Sequence, residues 1–535
     1  MDFIFYLLIL IDFIYIIYLS KKALHMLQQN LYNENNRYLK WISKNKNTFF
    51  NLSLYGVLFA LMLFFSKTET TDIFFLTVLI LVYISSFVVE KEKRKSDQNK
   101  KPLVITKRVK RLIFTLFILY SIPLVVYIVD NYTRNYVVLS YSIISSLVYY
   151  VIFLANIINH PVERLIYHKF EHQAKSKLKS MEPNLKVIGI TGSYGKTSSK
   201  NILNDILNIK YNSLATPKSL NTFNGLMITV NNQLSKFDDV FIAEMGAYVK
   251  GEINGLCKLV NPKYGIITSI GTAHLETFGS EKNIQEGKME LIEYLPSDGV
   301  GVLNRDDEKQ RTYTIKKKNH AKILWIGIES KDVDVRAENI KCDYKGTSFD
   351  VIFKNDKKKY NFETKLLGKH NVYNILASIA LGYEFGLTIK ELQQGVKKVH
   401  PVEHRLEVKK LGNFYQIDDA YNSNPVGAKS AVEVLGMMKG DKIVVTPGMI
   451  ELGAKEKELN KEFGKQIAEV ADKVILIGEK RTIPIKEGLL EKKFKEDNIY
   501  VLNDVREAYT LINKLKGKNE LYALFENDLP DTYTE

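Results

Sequence analysis

The stretch ITGSYGKTSSK, residues 190–200, combines the residue types that hold phosphate. Gly192 and Gly195 permit a tight turn and let backbone N–H groups approach phosphate oxygens. Lys196 would reach the β- and γ-phosphates of a nucleotide, and Thr197 would offer its hydroxyl to Mg2+. The loop departs from GxxxxGK[ST], because Ile190 stands in the place of the first glycine, and it reads instead as TGSxGKTS. The strand-like run LKVIGI (185–190) precedes it and a helical pattern follows. That context separates a phosphate loop from a chance glycine turn. Further along, Glu244 closes the strand-like run VFIAE, where a carboxylate can complete an Mg2+ site with Thr197.

The elements that must position these residues follow from the patterning. From Leu185 onward, short apolar runs such as VIGI, DVFIAEMG, YGIITSIG and GVGVLN alternate with charged helical segments. This alternation predicts βαβ units and a mostly parallel sheet, with ligands at the carboxyl ends of its strands. Residues 331–365 alternate apolar and polar, which predicts an antiparallel hairpin appended to that sheet. From 401 the runs KIVVTPG, KVILIG and IYVLN predict a second, Rossmann-like α/β domain.

Several blocks recur in a telling order: TGSYGKTS (191–198), NTFNG (221–225), AEMGAYVKGEI (243–253), ITSIGTAHLETFGS (267–280) and EGKMELI (286–292). They are followed by LNRDD (303–307), LLGKHNVYNILAS (366–378), HRLEV (404–408), IDDAYNSNP (417–425) and MIELG (449–453). Over about residues 185–470 the chain therefore resembles the Mur ligase family, nearest to its MurF branch. The resemblance implies ATP-dependent joining of a carboxylate to an amine. The carboxylate is first phosphorylated to an acyl phosphate, because a carboxylate is a poor electrophile.

Carried residue by residue, the resemblance implies an ATP site of Thr191, Gly192, Ser193, Gly195, Lys196, Thr197, Ser198, Asn304, Asn371, Asn374 and Arg405. Asn371 and Asn374 are three apart, hence on one helical face, and correspond to residues that recognise adenine. Two Mg2+ ions are implied, held by Thr197, Glu244, His274 and a carbamylated Lys288. The catalytic set is Lys196, His274, Lys288 and Arg405, with Asp419, Tyr421 and Asn422 near the substrate. Three features depart from MurF. Membrane-like helices replace a soluble substrate-gripping domain, VTPGMIELG replaces an aspartate-containing pattern, and the C-terminus LFENDLPDTYTE is acidic. His404 also stands where MurF carries glycine.

Five apolar stretches, about 3–19, 49–66, 72–89, 112–129 and 137–157, approach the length of a membrane-crossing helix. Basic residues crowd segments 20–48 and 90–111, whereas SKTETTD and DNYTRNY hold one each. Positive-inside bias puts the N-terminus outside and everything after 157 in the cytoplasm. The net charge of +15 is then a lipid-headgroup feature, and no nucleic-acid partner is expected. Asp12, near the middle of the first stretch, is expected either to face another helix or to mark a misplaced span. Two cysteines without CxxC spacing suggest neither a disulfide framework nor a zinc site.

The expected organisation is a multi-pass helical membrane region (1–160), an amphipathic connector (161–184), a central ATP-binding domain (185–400) and a C-terminal domain (401–535). The expected function is a plasma-membrane-anchored ligase of cell-envelope biosynthesis, with its catalytic domains cytoplasmic. Its substrates would be a carboxylated precursor, lipid-linked or a sugar acid, and an amino acid or peptide amine. The alternatives are authentic MurF activity, a polyglutamate-synthase-like ligase, an ATP-driven transporter and a membrane scaffold with a relic nucleotide site.

Overall fold

The computed structural model describes residues 2–45, 53–96, 102–130, 134–420, 424–450, 452 and 455–527. The chain forms two compact units, Met1–Lys169 and Phe170–Glu535. In the first, three helices are long and apolar enough to cross a membrane: Asp2–Gln29, Glu69–Glu92 and Lys107–Val129. The helix Ser53–Phe64 has 12 described residues, about 18 Å at 1.5 Å per residue, which is short of a ~30 Å hydrocarbon core.

The last apolar stretch differs from the expected single span. It is divided into Arg134–Ser146 and Val148–Met181, bent by 86°. At the break, Ser145 Oγ donates to the Ser142 carbonyl at 3.1 Å and Ser146 Oγ to the Ser53 carbonyl at 3.0 Å. Among the described residues, three helices are thus long and apolar enough to cross a membrane, or four if the bent pair counts as one, where five stretches were expected. The expected connector also has no start of its own, because its residues continue the helix Val148–Met181 through Pro161. Asp12 does face other helices: it is buried, beside Tyr83 and Ser145.

The second unit is built on two sheets. The first joins β1 (Lys186–Thr191), β2 (Ser213–Ala215), β3 (Val240–Glu244), β4 (Tyr264–Ile267), β5 (Val300–Asn304), β6 (Lys322–Gly327), β7 (Val335–Asp343), β8 (Gly346–Phe353) and β9 (Lys359–Thr364). Their order is β2-β3-β1-β4-β5-β6-β7-β8-β9. Pairing from β2 to β7 is parallel, while β7-β8-β9 is antiparallel, so the expected hairpin is a three-stranded extension. Sequence pattern explains the difference between the two parts. VFIAE of β3 is buried throughout, as a central parallel strand covered on both faces must be. GTSFDVIF of β8 alternates, with Thr347, Phe349, Val351 and Phe353 turned inward.

The second sheet joins β10 (Glu407–Leu411), β11 (Phe414–Asp419), β12 (Asp441–Thr446), β13 (Lys473–Ile477), β14 (Ile499–Leu502) and β15 (Leu521–Glu526). Their order is β10-β11-β15-β12-β13-β14, parallel except for β10 against β11.

In the first sheet β3 and β4 flank β1 on opposite sides, which opens a crevice at the carboxyl end of β1. The helix Glu281–Tyr294 packs under this point, its first turn capped by Ser280 Oγ accepting from Asn283 N. A Cβ at Gly189 would lie 2.7 Å from Leu291 Cδ1, and one at Gly265 would lie 3.1 Å from Leu291 Cγ. Leu291 thus fills the groove left by a glycine on each of two neighbouring strands. Leu291→Ala is expected to cost about 2–5 kcal/mol, read as a lower denaturation midpoint by tryptophan fluorescence.

Candidate active site

The phosphate loop runs from the end of β1 into the helix Lys196–Leu207. Gly192 has φ 152°, and a Cβ there would meet Thr268 Oγ1 at 2.0 Å. Gly195, φ 79°, caps the helix, and a Cβ there would stand 3.2 Å from Asn374 Oδ1. Neighbouring groups fix the loop between them: Ser193 N donates to the Ser269 carbonyl at 2.7 Å, and Thr268 Oγ1 to the Tyr194 carbonyl at 2.5 Å. Thr191 serves the frame, since its buried hydroxyl donates to the Met245 carbonyl at 2.8 Å. Lys196 Nζ donates to the Gly192 and Ser193 carbonyls at 2.8 and 3.3 Å. Burial lowers the pKa of this ammonium, the nearby Glu244 charge opposes the shift and Arg405 adds to it.

Glu244, at the end of β3, is 1% exposed. Its Oε1 accepts from Thr197 Oγ1 at 3.1 Å and from Asn221 Nδ2 at 3.0 Å. Its Oε2 lies 3.1 Å from Lys200 Nζ in an ion pair, yet accepts no hydrogen bond. A buried carboxylate oxygen with spare lone pairs, beside a threonine hydroxyl at a phosphate loop, fits Mg2+, which takes few protein ligands beside phosphate and water oxygens. Among the described residues, no group of three or more His, Cys, Asp and Glu is arranged to hold a metal. Neither Asn221 nor Lys200 stands out by residue type, although Lys200 ends the stretch 190–200 and Asn221 opens NTFNG.

His274 and Lys288 converge on one dipeptide. His274, at φ 60°, precedes the turn Leu275–Phe278, and its ring packs on Tyr248 with centroids 4.5 Å apart. Lys288 is 1% exposed and donates to the Ala247 carbonyl at 3.2 Å. Burial, then the Lys196 charge, brings its pKa down to about 7. Partial burial, then the charges of Lys288 and Lys196, lowers that of His274. The neutral amine is the form that adds CO2, and a lowered pKa populates it near pH 7, so the environment of Lys288 suits carbamate formation.

A cavity of about 500 Å³ adjoins the loop and is lined from both sheets. Gly195, Ser198, Asn304, Asn371 and Asn374 line it from the first, and Arg405, Asp419 and Glu526 from the second. The two amide side chains expected to read adenine are already engaged. Asn371 Nδ2 donates to the Leu367 carbonyl at 2.8 Å, and Asn374 Oδ1 accepts from Ser199 Oγ at 2.9 Å. Asn304 Oδ1 accepts from Asp306 N at 3.0 Å. Asp419 Oδ1 accepts from Leu406 N at 3.1 Å, and burial pushes the Asp419 carboxyl up to about 6. His370, unremarked in the sequence reading, also lines the cavity; burial, then Arg405, lowers its pKa to about 4. Tyr421 and Asn422 lie outside the described residues. His404 adopts φ 59°, the left-handed conformation that glycine takes most easily, and its Nδ1 pairs with Asp418 Oδ2 at 2.8 Å.

Residues 190–382 match the Mur ligase middle domain, and residues 404–524 match the Mur ligase glutamate ligase domain. The UDP-N-acetylmuramoyl-tripeptide–D-alanyl-D-alanine ligase of Bacillus subtilis is 30% identical over 354 residues, 65% of this chain and 74% of that enzyme. The chain belongs to the Mur ligase family. The enzyme of the same name from Escherichia coli is 30% identical over 295 residues, 55% of this Mur ligase and 64% of that enzyme. Among solved structures, MurF ligase of Thermotoga maritima in complex with ADP superposes with TM-score 0.59 at 25% identity, covering 67% of this chain and 80% of that one. Members of this family are ATP-dependent acid–amino-acid ligases, and this one is MurF-like. Residues 1–189 of this Mur ligase lie outside both domain matches.

The Lys288 environment has a measurable consequence. Between about pH 7 and 10.5 the unfolded chain binds a proton at Lys288 that the folded chain lacks, so stability rises with pH across that window. The slope is at most ~1.4 kcal/mol per pH unit. In CO2-free buffer without nucleotide, Lys288→Met is expected to flatten the rise of the thermal midpoint over that range. It should also be more stable than the parent near pH 7.

Proposed function

We propose that this Mur ligase is a membrane-anchored enzyme that joins an amine to the carboxylate of a cell-envelope precursor, through an acyl phosphate. The observation that carries the reading is the Thr197–Glu244 pair at the phosphate loop, beside a cavity whose other wall supplies Arg405 and Asp419. The substrate carboxylate oxygen attacks the γ-phosphorus of ATP, and the bond to the β-phosphate oxygen breaks. The amine nitrogen then attacks the acyl carbon and loses a proton, and inorganic phosphate leaves with the former carboxylate oxygen. Lys196 and Arg405 would hold phosphate charge, while Thr197, Glu244, His274 and carbamylated Lys288 would hold two Mg2+ ions. Mg2+ bound there would offset the negative charge that otherwise keeps a carboxylate and a triphosphate apart.

Three apolar helices of spanning length support anchoring, and the basic residues of 20–48 and 90–111 support a cytoplasmic face for the catalytic unit. The precursor is then a lipid-linked or sugar-acid carboxylate presented at the bilayer, and the amine an amino acid or short peptide. The named relatives favour a second reading, transfer of D-alanyl-D-alanine to UDP-N-acetylmuramoyl-tripeptide. Both readings make the same test decisive. The full chain in detergent or nanodiscs should release ADP and phosphate only when carboxylate and amine are both supplied. Lys196→Ala should lower that rate by about 10²–10³-fold. ATP turnover that needs neither acceptor and moves a solute would contradict a ligase.

A further inference from the structure

Lys200 lies one helical turn beyond Lys196 and is 1% exposed, so it cannot reach a phosphate in the cavity. Its ammonium has two partners: the Lys218 carbonyl at 2.6 Å and Glu244 Oε2 at 3.1 Å. Glu244 Oε1 is taken by Thr197 and Asn221, and Glu244 N donates to Thr216 Oγ1 at 3.1 Å. The oxygen left for a metal is thus the one that faces Lys200.

We propose that Lys200 is a positioning residue, a built-in counter-cation that holds the Glu244 carboxylate in place and competes with Mg2+ for its charge. The inference rests on the reading of Glu244 as the metal carboxylate. Burying a lone carboxylate is costly, and a paired ammonium removes that cost before any metal arrives. The same ammonium repels a divalent cation a few ångströms away. Mg2+ alone is therefore held weakly, and it is held well only when phosphate oxygens add ligands and negative charge. This couples metal retention to nucleotide. It also ties the metal carboxylate to segment 216–221, because Lys200 binds the Lys218 carbonyl and Asn221 binds Glu244.

The test uses the full chain in nanodiscs with Mn2+ as the probe, read by the paramagnetic resonance signal of free Mn2+. Without nucleotide, Lys200→Met is expected to bind Mn2+ roughly tenfold more tightly than the parent. Its thermal midpoint should fall in EDTA and recover on adding Mg2+, whereas the parent should change little. Lys200→Gln, which keeps a donor for the Lys218 carbonyl but removes the charge, should behave in the same direction. The double variant Lys200→Met/Glu244→Gln should be more stable in EDTA than Lys200→Met alone, which keeps the proposal testable if that variant folds poorly. Unchanged or weaker Mn2+ binding in both Lys200 variants, with no rescue by Mg2+, would overturn the counter-cation. If Glu244→Gln binds Mn2+ with ADP as the parent does, the underlying assignment of Glu244 fails instead.

Discussion

A carboxylate buried at the end of a central strand has to be neutralised by whatever surrounds it, and at Glu244 three side chains from two segments meet to do so. Thr197 comes from the helix after the phosphate loop, Lys200 from the next turn of that helix, and Asn221 from the segment between β2 and the helix Phe223–Asn232. β3 pairs directly with β1 in parallel, with Ile190 opposite Glu244. The carboxylate and the phosphate loop are therefore placed by the same ladder of backbone hydrogen bonds. Displacement of one strand would separate the charge from the loop it serves.

Around that point the molecule sets cations and neutral donors rather than a dense acidic cluster. Lys196, Lys288, His274 and Arg405 lie close enough for their charges to influence one another. Each repulsion is tolerable because the expected ligand is polyanionic. Burial is the first cause of the lowered pKa values of Lys196, Lys288 and His274, and neighbouring cations add to it. The second sheet closes the arrangement: Arg405 and Asp419 reach the cavity just before β10 and at the end of β11.

Much of this was legible in the sequence, for reasons specific to particular residues. The phosphate loop was readable because glycine, lysine and threonine at fixed spacing leave little else to do. Glu244 was readable because it ends a run of apolar strand residues. Lys200 and Asn221 were not, because a lysine on a helix and an asparagine in a loop are ordinary until the fold brings them to one carboxylate. Asn371 and Asn374, three apart on one helix, both line the cavity, and both also brace the backbone and the phosphate-loop helix, which their spacing does not show. In the helical region hydropathy marked the apolar stretches but not the 86° break, since an apolar run reads the same whether straight or bent. The antiparallel extension was readable from the alternation of TSFDVIF and KYNFET, but the strand before them, Val335–Asp343, was not, since its pairing with β8 shifts register between Glu338 and Lys341.

The central claim is that the phosphate is spent on activating a carboxylate. Its most direct test supplies the full chain with ATP, Mg2+, an amine and an acceptor that supports turnover, the acceptor carboxyl being labelled with oxygen-18. Each phosphate released is expected to carry one labelled oxygen from the carboxylate, transferred as the amide forms. Unlabelled phosphate, with the label wholly retained in the acceptor or its product, would contradict it.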